Sequence, residues 1–263
     1  MGLTEPANNL AEEHARRVRE MFARISPRYD LLNHLLSGNI DRRWRRRVVK
    51  TLLPLLPDNP QVLDVACGTG DLSIEFFEAS QARIIGLDFC RPMLDLAKAK
   101  TRDVQLIEGD AMRLPFADGT FDAVTIGFGL RNLSSVEAGL RELRRILKPN
   151  GWAAVLEFST PARGLRGMVG FYYARVLPRL GGWLSGSRSA YEYLPDSISH
   201  FPNQTELAAM MRDAGFAEVR FENLTGGVAA LHFGRRSNTD RKSVPPNEIG
   251  WAQEGCQPKQ RSP

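Results

Sequence analysis

Cysteine is scarce: three residues in 263, Cys67, Cys90 and Cys256, at no spacing that suits a disulfide framework or a zinc site. This excludes a disulfide-stapled secreted scaffold and fits a reducing cytoplasm. Cys67 and Cys90 sit in apolar strand-end segments and are expected as small core residues. Long apolar runs are also missing, because Pro and Arg interrupt every stretch that approaches the roughly 20 residues of a membrane-spanning helix. The N-terminal segment is polar with charges of both signs, so it does not read as a secretory leader. No glycine loop ends in Gly-Lys-Ser/Thr, and there is neither an Asn-Pro-Pro-aromatic loop nor a recognisable nucleic-acid module, so no nucleic-acid partner is expected. No internal repeat is found.

What is present is an ordinary balance of 43% hydrophobic and 25% charged residues, enough for one sizeable soluble domain. The net charge of +5 is concentrated locally, in Arg42, Arg43, Arg45, Arg46 and Arg47. Charge alone leaves open an anionic membrane surface or a merely solvated face.

From Gln61 onward, apolar runs alternate with amphipathic segments. Strands are predicted over 61–66, 83–88, 104–108, 121–128 and 151–158, and helices over 72–79, 92–100 and 136–147. Near-continuous hydrophobicity suits parallel strands covered on both faces. Lys148-Pro149-Asn150-Gly151 reads as a helix stop and turn. A helix over 204–214, closed by Gly215, precedes strands over 216–224 and 228–233, joined by Thr225-Gly226-Gly227 as a hairpin. The expectation is an α/β fold of the doubly wound, Rossmann-like kind, with a seven-stranded mostly parallel sheet, a last strand antiparallel, and helices on both faces. Residues 1–55 are expected as an N-terminal helical cap, in which Trp44, Val48 and Leu52 form an apolar stripe. Residues 56–236 form the main domain, with a lid insertion at about 162–200, and 237–263 read as a disordered tail.

The first strand ends in Asp64-Val65-Ala66-Cys67-Gly68-Thr69-Gly70-Asp71 and opens a helix. Gly68 and Gly70 permit a sharp turn and close approach of a ligand to the backbone. A dinucleotide loop would want a third glycine where Ser73 stands, and the acidic neighbours Asp64 and Asp71 would repel pyrophosphate. They suit the cationic amino-acid end of S-adenosylmethionine. Asp88 at the end of the second strand is placed to accept ribose hydroxyls, Asp110 after the third to accept the adenine amino group, and Ala111 to contact the ring. The predicted class is therefore a class I S-adenosylmethionine-dependent methyltransferase.

Tyr29-Asp30-Leu31-Leu32-Asn33, the glycine segment, Phe128-Gly129-Leu130-Arg131-Asn132, Leu156-Glu157-Phe158-Ser159, Tyr191-Glu192-Tyr193-Leu194-Pro195-Asp196-Ser197-Ile198 and Phe201-Pro202 resemble the ubiquinone/menaquinone biosynthesis C-methyltransferase family. The resemblance covers roughly residues 18–236. It implies methyl transfer from S-adenosylmethionine to a ring carbon of a prenylated naphthoquinol, demethylmenaquinol becoming menaquinol, with Thr69, Asp88, Asp110 and Ala111 as cofactor contacts. Some relatives carry a serine where this chain has Gly127. A benzoquinol of the ubiquinone pathway, both quinols, or a non-catalytic scaffolding role are the alternatives.

Chemically, Arg131 is expected to orient a water or stabilise a developing phenolate, the alternative being an ion pair with a carboxylate near the strand end. Tyr29 is expected as a hydroxyl partner, the alternative being a packed lid aromatic. Phe171, Tyr172, Val176, Leu177, Leu180 and Trp183 would line a prenyl channel, and the arginines at 42–47 would hold the protein at the inner face of an anionic membrane. A homo-oligomer is compatible with the sequence without being implied by it, and no metal is expected.

Overall fold

The computed structural model describes residues 5–172, 175 and 188–238. Seven strands form one sheet in the order β3-β2-β1-β4-β5-β7-β6. They are β1 (Gln61–Val65), β2 (Arg83–Asp88), β3 (Gln105–Glu108), β4 (Phe121–Gly127), β5 (Leu147–Phe158), β6 (Phe216–Leu224) and β7 (Ala229–Arg236). The first five pair in parallel, with Leu63 beside Ile85 and Val124. β7 runs antiparallel to both β5 and β6, entering the sheet between them. The expected antiparallel final strand is therefore present, and it is not the edge of the sheet.

Helices α4 (Asp71–Ser80), α5 (Arg91–Lys100), α6 (Val136–Ile146) and α9 (Gln204–Asp213) follow the strands. α6 is capped by the Ser135 side chain, and α9 carries a capping box between Asn203 and Glu206. On one face of the sheet Leu63, Val65, Leu140, Leu143, Leu207 and Met211 pack together. On the other, Val62, Ile84, Leu72, Phe76 and Phe233 meet Trp44, Val48 and Leu52. That apolar stripe lies on α3 (Ile40–Leu52), and all three of its residues are buried. The N-terminal part is not one helix but three, α1 (Glu5–Ile25), α2 (Tyr29–Ser37) and α3, separated at Ser26–Arg28 and at Gly38, whose φ is +61°.

Lys148-Pro149-Asn150-Gly151 corrects one expectation. The segment lies inside β5 as a bulge, because Phe121 pairs with Leu147 while Ala123 pairs with Trp152. Asn150 takes the left-handed conformation that lets the strand resume. The 162–200 segment contains α7 (Arg163–Phe171) and α8 (Arg188–His200). Val176, Leu177, Leu180 and Trp183 lie outside the described residues, as does the tail from residue 239. Among the described residues no helix is long and apolar enough to cross a membrane.

Candidate active site

The carboxyl ends of β1, β2 and β4 face the N-terminal helices across two adjoining cavities. Both are lined by Phe22, Tyr29, Ala66, Gly68, Gly127 and Phe128, which form their common wall. This is where open α/β sheets bind ligands.

The first cavity is bounded by Asp88, Asp110, Ala111 and Met112, with Glu12 and Ala15 of α1 opposite. Asp88 is nearly buried, and each of its oxygens accepts one backbone N–H, Gly68 at 2.8 Å and Cys90 at 2.8 Å. Burial raises its carboxyl above the ordinary value, and those amides pull the other way. Asp110 is exposed and accepts the Met112 N–H through Oδ1 at 2.8 Å. Gly68 adopts φ +57°, and a Cβ there would meet no protein atom within 4 Å. The loop therefore presents bare backbone towards open space.

The second cavity is lined by Asp64, Thr69, Asp71, Arg45, Trp44, Phe158, Arg131, Tyr193 and Leu194. Gly70 lines neither; with φ +81° it turns the chain into α4. Asp64 is buried, accepting the hydroxyls of Ser73 at 2.6 Å and Thr125 at 2.8 Å. Burial pushes its carboxyl up to about 6 in spite of both bonds. Thr69 donates to Asp30 of α2 at 2.5 Å. Lys100 bridges Asp30 at 2.5 Å and Asp71 at 2.7 Å. His34, Asp41 and Asp71 bring three ligand-type atoms within 4.8 Å of one another. Arg45 already pairs with both carboxylates, at 2.7 and 3.3 Å. Burial pushes the Asp41 carboxyl up, but Ser37, Arg45 and His34 outweigh it and hold it below its ordinary value.

Arg131 is on the 3-10 turn after β4, with its side chain 7% exposed. Its Nη1 donates to Glu157 Oε1 at 2.7 Å and to the Phe128 carbonyl at 2.6 Å, and its guanidinium lies 5.3 Å from the Phe158 ring centre. The ion pair weighed at the strand end is thus present, and Arg131 still lines the cavity. Tyr29 packs edge-on against Phe22. Burial raises its hydroxyl pKa, a bond with Asn33 opposing. Tyr193 of α8 donates to Asn132 Oδ1 at 3.0 Å. Burial raises the Tyr193 hydroxyl too, with Arg131 opposing.

Asp41 and Arg45 line this cavity, and Asp30, Lys100 and Glu157 pair with Thr69, Asp71 and Arg131 at its wall; none of the five was expected there. Two had a readable signal. Glu157 is a charge inside an otherwise apolar strand, and Asp41 stands three residues before Trp44 on the buried face of α3.

Sheet order, strand-end cavities and glycine turn define a class I methyltransferase fold. A [4+2]-cyclase, SpnF, shares that fold, with a TM-score of 0.63 and 18% identity over 85% of this chain and 96% of its own. Phosphoethanolamine N-methyltransferase 2 of Haemonchus contortus, solved with S-adenosyl-L-methionine, matches at TM-score 0.56 and 15% identity, over 73% of this chain and 52% of its own. Sequence narrows the class: the ubiE/COQ5 methyltransferase family matches residues 9–236, and the chain belongs to that family. Demethylmenaquinone methyltransferase of Thermus thermophilus is 51% identical, across 82% of this chain and 100% of its own. Ubiquinone/menaquinone biosynthesis C-methyltransferase UbiE of Geotalea uraniireducens is 43% identical, across 85% and 98%.

Proposed function

We propose that the chain methylates a ring carbon of a prenylated naphthoquinol, converting demethylmenaquinol to menaquinol with S-adenosylmethionine as donor. The observation that carries this reading is the pair of adjoining cavities. One has the carboxylates of Asp88 and Asp110, which follow β2 and β3, and the other combines aromatic walls with the Arg131 guanidinium. The name of the Thermus thermophilus relative supports the choice of substrate.

The residues fit the cofactor. Asp88 would accept ribose hydroxyls on the lone pairs its backbone donors leave, and Asp110 keeps Oδ2 for the adenine amino group beside Ala111. Gly68 and Thr69 would border the methionyl end, with the Asp64 carboxylate below, while Gly70 shapes the turn. When bound, S-adenosylmethionine supplies an electrophilic methyl group.

The remaining work falls to the protein. A quinol carbon becomes nucleophilic as its neighbouring hydroxyl loses proton density, so the cavity must stabilise negative charge on that oxygen, and the proton on the methylated ring carbon then passes to water. Arg131 meets that need. A guanidinium serves there as a donor or water holder and not as a free base. Tyr29, kept protonated by burial, is the second hydroxyl partner.

In this reading residues 1–55 cap the site, 56–236 carry the transferase and 162–200 form the lid for the prenyl chain. Arg45, Arg46 and Arg47 are ion-paired, which leaves the exposed Arg42 and Arg43 for anionic lipid, each contributing on the order of 1 kcal/mol. Peripheral attachment to the inner membrane face is proposed on that basis.

The test is methyl transfer by purified protein to a short-chain demethylmenaquinone, with and without dithionite, read by mass spectrometry. One added methyl, only under reduction, is expected. The name of the Geotalea uraniireducens relative favours a second reading, activity on both quinols, tested by the same assay on the benzoquinol precursor. Cofactor binding with no turnover on either would point to the scaffolding role.

A further inference from the structure

Glu157 is a carboxylate in a strand covered on both faces. β5 sets it opposite Ala230 and leaves it 1% exposed, where an unpaired charge is strongly unfavourable. Its Oε1 accepts from Arg131 Nη1 at 2.7 Å and from the Phe158 N–H at 2.9 Å, while Oε2 accepts from the Arg131 backbone N–H at 3.3 Å. Arg131 is therefore gripped by side chain and main chain together. The same Nη1 donates to the carbonyl of Phe128, whose φ of +58° is a left-handed conformation that bulky residues rarely adopt. Both side-chain hydrogen bonds of Arg131 leave from Nη1, and its buried Nε has no partner among the described residues. Arg131 lines the cavity, and Nη2 carries no hydrogen bond to a described residue, which leaves it as a donor for a ligand.

We propose that Glu157 is a positioning residue for methyl transfer. It locks the Arg131 guanidinium with Nη2 towards the quinol oxygen. It also balances the guanidinium charge, so the neutral quinol is not traded for a tightly held anion before reaction. Such a pair favours the charge that develops in the transition state over charge already present in the ground state. The inference rests on the quinol reading above.

The experiment compares Glu157→Gln, Arg131→Met and the double variant in the reduced-quinol assay, with S-adenosylmethionine affinity by calorimetry. Glu157→Gln should lower kcat roughly 10- to 100-fold, on the order of what a small misplacement of a group at the reacting centre costs. Its quinol KM should be unchanged or lower, and cofactor affinity should be unaltered. With Arg131→Met already present, adding Glu157→Gln should lower kcat no further. A wild-type kcat, a rise in KM that accounts for the loss, a parallel loss of cofactor affinity, or additive effects would each overturn the proposal. Should Glu157→Gln fail to fold because it strands a buried guanidinium, Glu157→Asp keeps the charge but retracts the carboxylate. Its kcat is then expected to fall in the same way, and a normal value overturns the proposal. Absence of wild-type turnover on every quinol overturns the parent reading and this one with it. Normal wild-type turnover beside an unaffected Glu157→Gln overturns this one alone.

Discussion

Asp64 shows what burial does to a single carboxyl at this site. Its folded value is about 6, against 3.8 for the ordinary group. Between those values the folded protein holds a proton that the unfolded chain has released. Stability from this group is therefore fully present below about pH 4 and is lost as pH rises through about 6, by up to about 3 kcal/mol. Asp64→Asn should flatten the fall in melting temperature between roughly pH 4 and pH 7; an unchanged slope would place its origin elsewhere. At this scale the sequence was informative about type and weak about partnership. Asp64, Asp88 and Asp110 could be read from their places at strand ends. That Asp64 spends both oxygens on Ser73 and Thr125 could not, since those partners lie 9 and 61 residues away.

At the scale of elements, α3 belongs to the main hydrophobic core, where Leu52 is fully buried alongside Val62 and Phe76. Leu52→Ala should reduce stability by about 2–5 kcal/mol. Urea unfolding should show a single transition shifted to lower denaturant; an early separate transition would mean the cap unfolds independently. Among the described residues, α8 reaches the site with Leu194 and with Tyr193, which donates to Asn132. Tyr193→Phe removes about 0.5–1.5 kcal/mol of hydrogen bonding, so kcat/KM for the quinol should fall a few-fold. Cofactor affinity, measured by calorimetry, should not change. β1 to β4 and β6 are legible to within a residue, whereas β5 begins four residues earlier and β7 ends three residues later than expected; buried parallel strands leave an uninterrupted apolar record that strand ends do not. Lys148–Gly151 was misjudged because Pro, Asn and Gly punctuate a bulge and a turn alike. The insertion of β7 between β5 and β6 was illegible for a different reason: local periodicity carries no information about which strand a given strand pairs with.

For the whole molecule, family, sheet order and cavities agree, while the fold alone does not dictate the reaction, as a cyclase with the same fold shows. The N-terminal helices line both cavities, so their displacement would open a bound nucleoside further to solvent. Lys100 fastens this roof, joining Asp30 of α2 to Asp71 of α4, and all three side chains are partly exposed to solvent. Such a latch answers to the surrounding electrolyte in a way that packed hydrocarbon does not. Departure of S-adenosylhomocysteine should quicken between about 20 and about 500 mM NaCl in the native protein. In Lys100→Met it should be fast throughout and nearly indifferent to salt. Stopped-flow release reads both, and equal salt sensitivity in the two proteins would show that other contacts hold the roof. Where product escape limits turnover, the ionic strength of the medium would then set the pace of the enzyme.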